Sequence, residues 1–177
     1  MGTWNSRGLR GSTLEELINL TIEKYRDSGI ALIQKIPTPI KPIAIDKESR
    51  HITLAYFEQK STVDYIGVVQ GVPVCFDAKE CNTTTFPIHN IHRHQYEFMK
   101  DFENQNGVSF LIIHFTSINE IYYITFKEME KFYQRSENGG RKSFTVDEID
   151  KDFKIKTNRG VPVHFLEMLS KDLENRD

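Results

Sequence analysis

Cysteine is nearly absent from this chain. Two cysteines among 177 residues, Cys75 and Cys81, cannot build a disulfide framework and show no metal-ligand spacing. They read as free thiols in a reducing compartment. Long apolar runs are missing as well, so no segment is suited to cross a bilayer. Residues 1–12 lack the apolar core of a signal peptide, and a cytosolic location is the default expectation. Surplus positive charge is also lacking: 23 Lys and Arg face 25 Asp and Glu, for a net charge of −2. Indiscriminate coating of nucleic acid depends on excess Lys and Arg, and this balance argues against it. A local basic surface stays open, because the basic residues cluster at Arg7 and Arg10, at Lys41, Lys47 and Arg50, and at Arg141 and Lys142. No internal repeat and no linker interrupts the chain. Its length and its 38% apolar and 27% charged content suit one globular domain with a sizeable core.

Helix and strand patterns alternate along the chain. A capping box, either Ser12 with Glu15 or Thr13 with Glu16, opens a first helix. Leu14, Leu17, Ile18, Thr21, Ile22 and Tyr25 form its apolar face, and Asp27-Ser28-Gly29 stops it. Residues 30–36 read as a strand. The run Pro37-Thr38-Pro39-Ile40-Lys41-Pro42 cannot lie in a central strand, so the segment through Arg50 is expected to project or loop out. Residues 51–57 read as a strand returning from it. Residues 62–69 and 72–79 form two strands joined at Gln70-Gly71, a hairpin signal. A polar loop is expected at 82–87, a helix at 90–103, strands at 108–115 and 121–126, a short helix at 127–135, a flexible basic loop at 138–142 and a terminal helix at 164–173. This order fits an α/β sandwich around a mixed sheet.

The chemically informative stretch is Thr62-Val63-Asp64, followed after the hairpin by Asp77-Ala78-Lys79. Strand side chains alternate between faces, so Thr62 and Asp64 share one face, and Asp77 and Lys79 share one. Val74, Phe76 and Ala78 point the other way. Pairing of the two strands would bring two carboxylates and an ammonium together at the sheet edge. Carboxylates are hard oxygen ligands that suit Mg²⁺, for which Mn²⁺ can substitute. Such an ion polarises a phosphate and acidifies a bound water, and a lysine stabilises the charge that builds on the phosphate. The pattern has the form of the PD-(D/E)xK nuclease motif. Taken alone the motif is weak, because D-x-K arises often by chance, and the spacing alone favours an ordinary Asp–Lys pair on an exposed strand face.

The surroundings of that motif are more specific. Asn5-Ser6-Arg7-Gly8, Gly11-Ser12-Thr13-Leu14-Glu15 and Lys35-Ile36-Pro37-Thr38-Pro39 resemble segments of the RecU family of Holliday junction resolvases. So do Ser61-Thr62-Val63-Asp64-Tyr65, Phe76-Asp77-Ala78-Lys79-Glu80, Thr85-Phe86-Pro87, His92-Arg93-His94-Gln95 and Gly140-Arg141-Lys142-Ser143. The segments fall in the family's order at nearly its spacing. The resemblance implies a single restriction-endonuclease-like domain over residues 1–177, with a mixed sheet flanked by helices and a stalk at about 37–57. It implies that Thr62, Asp64, Asp77 and Gln95 hold Mg²⁺ and that Lys79 is the catalytic lysine. It implies a homodimer that nicks opposing strands of four-way junction DNA, and a RecA-type recombinase as a partner. Asp77 stands where the family often has Glu, and the stalk is short.

Several residues carry two readings. Gln95 is a satisfied buried amide or part of an inward-facing site. Glu15 is a cap residue or an auxiliary carboxylate facing the metal. Arg7 and Arg10 form a solvated terminus or an arm holding phosphates, as Lys41, Lys47 and Arg50 would on the projection. Zinc is disfavoured at His89, His92 and His94, because positions 92 and 94 lie on different sides of a helix and no thiol joins them. Either of those two histidines could face DNA. Tyr56 and Phe57 read as core or dimer residues, with stacking on unpaired bases as the other use.

Overall fold

In the computed structural model, which describes residues 13–57, 62–157 and 160–176, the first helix begins at a reciprocal cap. The Thr13 hydroxyl accepts from the Glu16 amide at 3.3 Å, and the Glu16 carboxylate accepts from the Thr13 amide at 2.8 Å. Helix α1 (Leu14–Asp27) buries Leu14, Ile18, Thr21, Ile22 and Tyr25, the stripe legible in its spacing. Strand β1 (Ala31–Lys35) follows. Strands β2 (Ile40–Ile45) and β3 (Ile52–Phe57) then pair antiparallel as a two-stranded ribbon of their own. The outgoing limb of the segment expected to project or loop out is thus a strand. Pro42 is tolerated because a ribbon has two free edges and a missing N–H can face outward. Every residue of both strands is exposed except the half-buried Ala55.

Strands β4 (Tyr65–Val69) and β5 (Val72–Cys81) turn at Gln70 and Gly71, with φ of 47° and 91°. Two successive left-handed residues suit the right-handed twist of the flanking strands. The expected polar loop contains a short strand, β6 (Thr85–Pro87), followed by α2 (Arg93–Asn104), β7 (Val108–Phe115) and β8 (Glu120–Thr125). Helix α3 (Phe126–Glu137) is longer than expected and is capped by the Thr125 hydroxyl. Strand β9 (Ser143–Thr145) pairs with β6, and the intervening basic loop is tied down by Arg141 on Ser143 and Glu148. Strand β10 (Lys154–Ile155) and helix α4 (Leu166–Glu174) complete the chain's elements.

The main sheet has six strands in the order β1-β4-β5-β7-β8-β10. Only the β5–β7 pair is parallel, so the sheet is mixed and flanked by helices, as the sequence implied. Alternation along β5 divides the core. Val74 and Phe76 pack on one side with α1 and α4 residues such as Ile18 and Leu169. Cys75 and Cys81 pack on the other side with α2 and α3 residues such as Met99 and Phe132. Four aromatic rings cross the first face: Tyr65 on Phe76 at 4.7 Å, Phe76 on Phe110 at 4.7 Å, and Phe110 on Tyr123 at 4.2 Å. Offset aromatic stacking of this kind holds neighbouring strands in register just before the chemically interesting residues. Gly67 serves the same purpose on β4, because a Cβ there would collide with the Leu32 carbonyl oxygen and Ile33 Cα of β1.

Candidate active site

The β4–β5 register pairs Tyr65 with Phe76, which places Asp64 next to Asp77 where β4 begins. The ladder is replaced there by side-chain bonds. The Asp64 amide donates to Asp77 Oδ1 at 3.0 Å, and Asp64 Oδ2 accepts from the Ala78 amide at 2.9 Å. Each carboxylate thus fastens the other strand's backbone. The site lies where β4 and β5, two interior strands of the sheet, part. A central position gives it walls on both sides.

Asp77 is wholly buried. Its Oδ2 forms an ion pair with Lys79 and accepts from Gln95 Nε2 at 3.0 Å. Gln95, on the first turn of α2, accepts at Oε1 from Lys79 Nζ at 3.4 Å and from the His92 amide at 3.2 Å. Burial pushes the Asp77 carboxyl up to about 7, against the pull of Lys79 and with added repulsion from the Asp64 carboxylate it touches. Asp64 itself is half-buried. Thr62 lies two residues earlier, half-buried, without a hydrogen bond to the pair. Among the described residues no third His, Cys, Asp or Glu joins the two carboxylates. The oxygens brought together are those of the two carboxylates and the Gln95 amide.

Other expected residues are placed elsewhere. Glu15 is turned to Lys35 at the end of β1 in a half-exposed ion pair, and its backbone carbonyl accepts from Tyr65 Oη at 3.4 Å. Lys41, Lys47 and Arg50 are exposed on the ribbon, Arg50 with φ of 58° at its tip. Arg7 and Arg10 lie outside the described residues. His92 precedes α2, and its ring stacks on His94 at 5.5 Å, beside the site. Tyr56 and Phe57 are 48% and 76% exposed, so they are not core residues; the ribbon lifts them off the body. One site neighbour was not singled out from sequence. Glu80 accepts from the Leu14 amide at 2.7 Å and so ties the start of α1 to β5, next to Lys79. The partners are 66 positions apart, and no local pattern announces such a cap.

Two acidic residues and a lysine, brought together where paired central strands part, have the layout of the PD-(D/E)xK class. The family comparison is more particular. The profile of the family described as "Recombination protein U" (RecU) matches residues 9–171, and this chain belongs to that family. A relative from Pediococcus pentosaceus, named Holliday junction resolvase RecU, is 38% identical over 95% of this chain and 86% of its own length. Proteins of the same name from Geobacillus sp. strain WCH70 and Listeria welshimeri are 42% and 44% identical over 81% and 80% of this chain, and over 74% and 73% of theirs. The solved structure of the Holliday junction resolvase Hjc of Archaeoglobus fulgidus superposes with a TM-score of 0.34 and 3% identity, covering 63% of this chain and 74% of that one. So slight a likeness supports no argument.

Proposed function

We propose that this chain is a Mg²⁺-dependent endonuclease that resolves Holliday junctions by paired symmetrical nicks in DNA recombination and repair. The observation that carries the reading is the meeting of Asp64, Asp77 and Lys79 at one point, in a member of a family whose relatives are named for that activity.

The donor set fits a hard divalent cation. Two carboxylates in contact repel when both are ionised, and Asp77 cannot share its charge with water. Asp64 and Asp77 would hold Mg²⁺, or Mn²⁺ in its place, with Gln95 Oε1 and Thr62 as further oxygens. Once bound, the ion polarises the scissile phosphate and acidifies a water. Lys79 supplies a positive charge to the phosphate as negative charge builds there. Glu80 and the Asp64–Ala78 bond hold this stretch of β5 in place.

Lys41, Lys47 and Arg50 on the ribbon are assigned to the phosphates that converge at a junction centre, and Arg7 and Arg10 to an arm on the flanking duplex. Symmetrical nicking needs two sites, so the working unit is a homodimer. The exposed Ile40, Ile43, Ile45, Leu54 and Phe57 are suited to be covered by a second copy or by DNA. A RecA-type recombinase is the expected protein partner. Among the described residues no helix is long and apolar enough to cross a membrane, and the site of action is assigned to the cytosol with its DNA. A binding-only protein that modulates recombination would have no use for the full Asp64–Asp77–Lys79 set. Incubation with a labelled four-way junction and a matching duplex, with and without Mg²⁺, tests the reading: cutting of the junction alone, and only with the ion, is expected.

A further inference from the structure

Lys79 follows Asp77 by two residues on the same face of β5, a separation of roughly 7 Å along a strand. Its side chain could run outward to the opening. Instead it folds back and is four-fifths buried, with its ammonium on Asp77 Oδ2 and on Gln95 Oε1. The orientation of the Gln95 amide is dictated by its partners. Oε1 takes two donors, the His92 amide and the Lys79 ammonium, while Nε2 donates to Asp77 Oδ2, which in its ionised form can only accept. A flipped amide would set donors against donors. The ammonium therefore sits on two hard oxygens, Asp77 Oδ2 and Gln95 Oε1, both on residues assigned above to the divalent ion.

We infer that Lys79 is a resident counter-cation that competes with the divalent ion for Asp77 and Gln95, so that ion binding frees the ammonium for the scissile phosphate. The inference rests on the metal-site reading of the preceding subsection. Two cations on the same oxygens repel, so the ion cannot settle on Asp77 Oδ2 while the ammonium stays there. The exchange has a functional consequence: the lysine is delivered to the substrate only in a loaded site.

Calorimetric titration of the full chain with Mn²⁺ and with Mg²⁺, without DNA, tests this on the parent and on Lys79→Met, Lys79→Gln and Lys79→Arg. The two uncharged variants should bind the ion at least about tenfold tighter than the parent, and the arginine variant should bind like the parent. Melting curves give an independent readout. Lys79→Met should melt lower than the parent in EDTA, and ion addition should raise its melting temperature by more than it raises the parent's. Lys79→Gln keeps a polar tip and carries the test should the methionine variant fail to fold. If the uncharged variants bind the ion no tighter than the parent, the competition does not exist, although the metal site stands. If the parent and all variants bind neither ion, the metal-site reading fails and this inference with it.

Discussion

A carboxylate without exposed surface, such as Asp77, needs partners for its charge. It has Lys79 and Gln95, yet its carboxyl still titrates at about 7 rather than at 3.8. The fold thus holds the proton more tightly than the unfolded chain does. The stability tied to this group is fully present below about pH 4 and is lost as pH rises through about 7. In EDTA, the melting temperature should fall across that window, and Asp77→Asn should flatten the fall. An unchanged slope in the variant would show that burial of this carboxyl does not govern the trend. At this scale the sequence was informative about which residues meet, because period-two alternation put Asp77 and Lys79 on one face and Val74 and Phe76 on the other. It said nothing of how deeply Asp77 is buried or that Glu80 caps α1, since both depend on elements far along the chain.

The elements differ in how much of them could be read. Helix α1 and strand β7 declare themselves through a capping box, a 3.6-residue stripe and a β-branched apolar run. Strands β6, β9 and β10 span three residues or fewer, too short for any periodicity, and exist because a partner strand lies beside them. The proline-bearing β2 was hidden for another reason: a ribbon open to solvent relaxes the rule that prolines keep out of strands. Two tests belong here. Gly67→Ala should destabilise the protein by about 2 kcal/mol or more in urea unfolding, because the added methyl meets backbone of β1 that cannot give way. A loss under about 0.5 kcal/mol, the range of ordinary surface changes, would mean that β1 and β4 are not so closely apposed. Ile40 and Phe57 are register partners at the base of the ribbon, so residues 41–56 can be replaced by a short Gly-Ser turn. Circular dichroism should show the body intact, while competition binding shows the preference for four-way junctions over duplex lost. Full retention of that preference would remove the ribbon from junction recognition.

For the molecule as a whole, a net charge of −2 means that DNA must be held by local basic groups against an unfavourable mean field. Binding should weaken as salt rises, and the log–log slope should shrink by about 2 when Arg7 and Arg10 are both changed to Ala. An identical slope would take that arm out of the DNA contact. The architecture concentrates these parts around one end of the sheet. The β4–β5 pair presents the acids, α2 brings Gln95 through the parallel β5–β7 crossover, and the ribbon leaves the body between β1 and β4. We propose that Asp64 and Asp77 together make this chain a metal-dependent junction resolvase. It is tested most directly by cleavage of a strand-labelled four-way junction, run with Mg²⁺ or with EDTA, using the parent, Asp64→Asn and Asp77→Asn. The parent should nick two opposing strands symmetrically in Mg²⁺ and none in EDTA, while both variants still bind the junction and leave it uncut. Cutting at the parental rate by either variant, or no cutting by the parent in Mg²⁺ or Mn²⁺, would contradict it.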